Sequence, residues 1–150
     1  MREAIALSLR AVRRSTGGPF GAVVVRGGEI VGRGWNAVTS RNDPTLHAEV
    51  MAIRAACRRL GTFKLDGCEL YASCEPCPMC LGAIHWARIG RVFYGNTRGD
   101  AAAIGFDDAR FHQELARPLS KRRITMRPLL RAEALAAFEA WRRKSDRVDY

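Results

Sequence analysis

Apolar and polar positions alternate along this chain with two periods. Ile5, Leu9 and Val12 recur at i, i+4, i+7, which predicts an amphipathic helix over residues 1–12 with those three on one face. The β-branched run from Phe20 to Arg26 predicts a buried strand. Gly27-Gly28 is a two-residue hairpin turn, and Glu29 to Asn36 returns as a second strand. Residues 37–43 are polar and read as loop. Asp43-Pro44, an acidic cap followed by proline, predicts a helix running to about Leu60 and stopped by Gly61.

The second half continues the alternation. Strands are predicted over residues 69–73 and 92–94, with a helix from Cys77 to Ala87 between them. A helix near residues 107–116, a fifth strand near residues 124–126 and a closing helix over residues 131–143 complete the pattern. Strands alternating with helices after a hairpin predict a single three-layer α/β/α domain around a five-stranded mixed sheet. No internal repeat, linker or low-complexity segment interrupts it.

Composition narrows the picture. The chain has 150 residues, 47% of them apolar, enough for one core. No apolar run reaches the length of a membrane span, and Arg2, Glu3 and Arg10 interrupt the first helix. The expectation is a cytoplasmic protein without a membrane partner. The formal charge of +10 raises a nucleic-acid partner. Arginine makes up 22 of the 25 basic residues and is spread along the chain, which favours a solvated basic surface over an RNA groove.

The five cysteines are an odd count, and three lie within "CEPCPMC", residues 74–80. That spacing suits a metal site or a redox pair better than a disulfide framework. Upstream stands His47-Ala48-Glu49, which, like Cys77, follows a loop at a helix start. Cys77, Cys80 and His47 supply three zinc ligands and leave a fourth position for water, which zinc would acidify to hydroxide near neutral pH. Glu49 would shuttle a proton from that water to a leaving nitrogen. Cys74 as a fourth ligand would instead close the site and make it structural, a non-catalytic zinc module. The combined H-x-E and P-C-x-x-C pattern is the signature of zinc-dependent base deamination.

At these residues the chain resembles the cytidine deaminase-like superfamily. "TLHAEVMAI" and "SCEPCPMCLGAIHWARIGRVFYG" look like its bacterial tRNA-adenosine and guanine deaminase branch. "DAAAIGFDDARFHQEL" and the ending "RVDY" look like guanine deaminases. The resemblance implies one Zn2+ per subunit and conversion of a free purine base, guanine, to xanthine and ammonia. Adenosine in tRNA is the alternative substrate; ammeline, guanosine and cytosine are others. It implies catalytic roles for Glu49 and Asp108, and a purine pocket of Phe20, Asn36, Ala48, Trp86, Asp108 and Tyr150. It also implies a homodimer in which the last helix and tail, residues 131–150, exchange between subunits and Tyr150 reaches into the partner's site.

Overall fold

The computed structural model describes residues 1–149; Tyr150 lies outside the described residues. Two compact units divide the chain, residues 1–109 and residues 110–150.

The first unit is built on a hairpin. Strand β1 (Gly21–Arg26) pairs antiparallel with β2 (Glu29–Trp35). Gly27 and Gly28 turn between them with φ of 56° and 83°, a conformation that side chains disfavour. On its other edge β1 pairs antiparallel with β3 (Cys68–Cys74), and β3 pairs parallel with β4 (Arg91–Asn96). The order is β2-β1-β3-β4, a mixed sheet of four strands among the described residues. The expected fifth strand is absent there: residues 124–126 are irregular, with Ile124 76% and Met126 59% exposed. A strand needs a paired edge, and the pattern Ile-Thr-Met alone provides none.

Helices cover both sheet faces. Helix α1 (Arg2–Arg13) lies on one face and α3 (Ala48–Leu60) on the other, with α4 (Pro78–Trp86) beside α3. Both contacts are close because glycines line them. A Cβ on Gly34 would stand 2.1 Å from the Ala48 carbonyl oxygen, and one on Gly21 would stand 2.3 Å from that of Ala4. This close approach decides which face of α1 packs on the sheet. The face toward the sheet carries Ala4, Leu7, Ser8 and Ala11, mostly small, while Ile5, Leu9 and Val12 point outward, 43–53% exposed. The core gathers Ala22, Val24, Leu65, Leu70, Ala72 and Ile84 between sheet and helices.

Two more helices depart from the expected pattern. Residues 38–41 form a short helix α2 (Val38–Arg41) where loop was expected. Helix α5 (Arg98–Ala103) follows β4, closed by a reciprocal cap in which Thr97 Oγ1 accepts from the Asp100 backbone N–H and Asp100 accepts from the Thr97 backbone N–H.

Helix α6 (Ala109–Ala116) crosses the unit boundary. The second unit then holds a single 3-10 turn (Leu119–Lys121) and α7 (Arg131–Arg143), the latter with the predicted bounds. None of its described residues is buried.

Candidate metal centre and catalytic site

Asp43 decides where α3 begins. Its Oδ1 accepts from the Thr45 backbone N–H at 2.8 Å and the Thr45 hydroxyl at 2.6 Å, making a side-chain turn. The helix therefore starts four residues later than the Asp43-Pro44 pair predicts. His47 becomes its cap residue and Glu49 falls in its first turn. The same happens at α4, where Cys77 is the cap, Pro78 the first helical residue and Cys80 the third. The His47 side chain makes no hydrogen bond to its own helix, and the Cys77 sulfur faces Cys80 and His47.

The two helix starts converge. His47 Nδ1 lies 3.6 Å from Cys77 Sγ and 3.6 Å from Cys80 Sγ, and the three donor atoms all lie within 4.8 Å of one another. A tetrahedral zinc ion with Zn–N near ~2.05 Å and Zn–S near ~2.3 Å would set each N···S pair about 3.6 Å apart. The donor set therefore fits zinc in chemistry and in spacing. Cys74 stays outside it: its thiol points to the Thr97 carbonyl at 3.6 Å, and burial pushes its pKa up to about 11. Three protein ligands leave a coordination position open, as chemistry requires.

The three donors share protons among themselves. The Cys77 thiol is lowered to about 4, chiefly by a hydrogen bond from Cys80 and then, against the pull of burial, by His47 and the Cys80 backbone N–H. Cys80 keeps its proton, held up by donating it to Cys77 and by burial. His47 is raised by its hydrogen bond with Cys77. Glu49 is 7% exposed, and desolvation raises its carboxyl above the usual range. Cys80 Sγ reaches Glu49 Oε2 at 3.4 Å, so the carboxylate sits directly against the ligand cluster.

A sequence profile of the cytidine and deoxycytidylate deaminase zinc-binding region matches residues 1–96. The chain belongs to this family. Guanine deaminase of Bacillus subtilis is 49% identical over 150 residues, 100% of this chain and 96% of that protein. Its crystal structure superposes with a TM-score of 0.95, covering 99% of this chain and 95% of that one. A tRNA-specific adenosine deaminase of Aquifex aeolicus is 50% identical over 76 residues, 51% of this chain and 50% of that protein. The fold is thus the cytidine deaminase-like α/β fold, with one zinc site per chain formed by the His/Cys/Cys group.

The other anticipated residues are distributed as follows. Ala48 is buried between His47 and Glu49. Asn36 is buried at the end of β2, its backbone N–H bonded to the Phe20 carbonyl at 3.0 Å. Ala37 in turn donates to the carbonyl of Leu46, the neighbour of His47, which places Asn36 and Phe20 beside the ligand helix. Asp108 is half-buried; Asp107 makes the turn into α6 by accepting from the Ala109 N–H at 2.9 Å. Trp86 is the last residue of α4, at the end away from Cys77, and 63% exposed. Tyr150 lies outside the described residues.

One aromatic residue was missed. Phe106 packs edge-on against Phe20, with ring centroids 5.0 Å apart and planes at 88°. Its signal was the "GFDD" stretch, read only for its carboxylates.

Proposed function

We propose that this chain hydrolyses the exocyclic amine of guanine, yielding xanthine and ammonia. The extent of likeness carries this reading. The similarity to the Bacillus guanine deaminase runs through all 150 residues, whereas that to the Aquifex tRNA enzyme covers 76.

His47, Cys77 and Cys80 would hold the zinc, which when bound supplies a Lewis acid that makes water acidic near neutral pH. The chain's own groups carry the protons. Glu49, desolvated and therefore a stronger base than a solvated carboxylate, takes one proton from the attacking water and passes it to the amine. A C2–O bond forms, the C2–N bond breaks and ammonia leaves. The second water proton ends on ring nitrogen N3, completing the product lactam. Phe20, with Phe106 at its edge, provides an apolar wall for a flat ring; the resemblance also gives Trp86 to the pocket, from the end of α4 away from Cys77. Ala48 lines the floor. Asn36 and Asp108 meet the polar edge of the base, Asp108 serving as a second acid near the departing amine. The resemblance also gives Tyr150, which lies outside the described residues, to the pocket.

We also infer a homodimer in which residues 131–150 exchange between copies. Two features support it: the second unit has no buried described residue yet carries Leu129, Phe138 and Trp141, and α4 leaves Met79, Leu81 and Trp86 exposed. Each copy would then be one zinc-dependent deaminase domain.

The test is ultraviolet difference spectroscopy of zinc-loaded protein with guanine. Appearance of xanthine, lost in Glu49→Gln while zinc stays bound, is the expected result; untouched guanine sinks the reading. A second reading, deamination of tRNA adenosine, has the +10 charge behind it. Salt-sensitive tRNA retention on a gel, with inosine formed, would favour it.

A further inference from the structure

Asn36 is 4% exposed, and its side-chain oxygen is doubly occupied. Oδ1 accepts from the backbone N–H of Gly18 at 3.1 Å and from that of Val38 at 3.2 Å. An N–H donates only to an acceptor, so the atom between these two donors is the amide oxygen and the NH2 group takes the other branch. With Oδ1 turned to Gly18 and Val38, the NH2 group is turned away from both backbone donors.

The turn over residues 16–18 wraps Asn36 tightly. The Thr16 hydroxyl donates to the Asn36 carbonyl at 3.1 Å. A Cβ on Gly17 would stand 2.1 Å from Oδ1 and 2.9 Å from the Asn36 carbonyl oxygen. Only glycine lets the turn come this close. Gly18 is crowded on its other side by the Phe20 and Phe106 rings, at 2.9 and 3.0 Å from a built Cβ. One short turn therefore touches both the aromatic wall and the amide.

We propose that Gly17, Gly18 and Val38 are positioning residues that lock the Asn36 amide with its NH2 toward the ligand, making this point of the site a donor only. The inference deepens the functional reading above and rests on it for the ligand class. A donor-only group selects rings that present an acceptor. Guanine does so through O6 and N7, while its N1–H and 2-amino group need an acceptor such as a carboxylate. The glycines thus set substrate polarity without touching substrate.

The test uses the full-length zinc-loaded protein and two readouts. The first is amide hydrogen exchange at Gly18 and Val38. Protection should persist in Asn36→Asp, where a carboxylate oxygen still accepts both N–H groups, and fall in Asn36→Ala. Unchanged protection in Asn36→Ala overturns the orientation.

The second readout is kcat/KM on guanine, 7-deazaguanine (no N7) and 2,6-diaminopurine (an amino group in place of O6). Asn36→Asp should lose about 100-fold or more on guanine, because it presents an acceptor to an acceptor. One of the two analogues should lose as much with the wild type and lose little further in Asn36→Asp. Gly17→Ala should narrow that discrimination, which a general loss of stability would leave intact by lowering all rings alike. Equal turnover of guanine by Asn36→Asp and wild type, or full discrimination in Gly17→Ala, overturns the proposal. Silence of the wild type on guanine would sink the functional reading alone, since the exchange pattern judges the orientation without any substrate.

Discussion

Leu70 and Phe138 are both large apolar residues in regular elements, yet Leu70 is fully buried in β3 and Phe138 is 74% exposed on α7. The contrast holds for their whole regions. Residues 1–109 surround a sheet with helices on two faces and enclose the zinc cluster. Residues 110–149 form helices with no buried residue, held locally by surface pairs such as Arg117–Glu114 and Arg142–Glu139. Exposed pairs of this kind each contribute at most about 1 kcal/mol. Helix propensity and apolar content are therefore enough to write a helix, while burial needs a second surface. The first region supplies its own; the described residues of the second do not.

The largest expected effect tests where the chemistry resides. Glu49→Gln should lower kcat by about 10²–10⁴-fold with zinc content unchanged by metal analysis. A comparable loss from any substitution over residues 119–123 would undo the assignment of chemistry to the first region.

Stability comes next. Leu70→Ala should cost about 2–5 kcal/mol in denaturant unfolding. Phe138→Ala should cost far less in dilute, monomeric protein, and should reduce the dimer fraction in sedimentation as concentration rises. Equal costs for both at all concentrations would erase the contrast.

Gly34→Ala probes the contact that seats the ligand helix. Its Cβ must displace the Ala48 carbonyl, one residue from His47. A loss of about 1–3 kcal/mol and weaker zinc retention against a chelator are expected.

The smallest effect is acid-linked. Hydrogen bonds from the Thr97 backbone N–H and then its hydroxyl hold the Asp100 carboxyl below its ordinary value. A carboxylate depressed in the folded state stabilises above its unfolded pKa and loses that contribution as pH falls through the folded one. Asp100→Asn should therefore flatten the stability curve slightly at acid pH and leave it little changed in shape near neutrality.

Much of this was legible in the residues. The hairpin turn at Gly27-Gly28, the stop at Gly61 and the bounds of α7 follow from local backbone preference. So does the identity of the metal donors, since Cys-x-x-Cys at a helix start offers two thiols on one side whatever surrounds it. The start of α3 was misplaced because Asp43 has two local options, a helix cap or a side-chain turn, and both look alike in sequence. The capping box at Thr97 is legible as T-x-x-D.

What the sequence by itself determined is thus the set of local conformations and the chemical types available: two helix starts bearing donors, a carboxylate nearby, a basic and apolar chain. Only the tertiary structure decided which groups meet. The 3.6 Å spacings of His47 to Cys77 and Cys80, the outward turn of Ile5, Leu9 and Val12, the exclusion of Cys74 and the orientation of the Asn36 amide all depend on residues far apart in sequence. Close packing set them, because the glycines at 17, 21 and 34 let elements approach to distances that no local rule encodes.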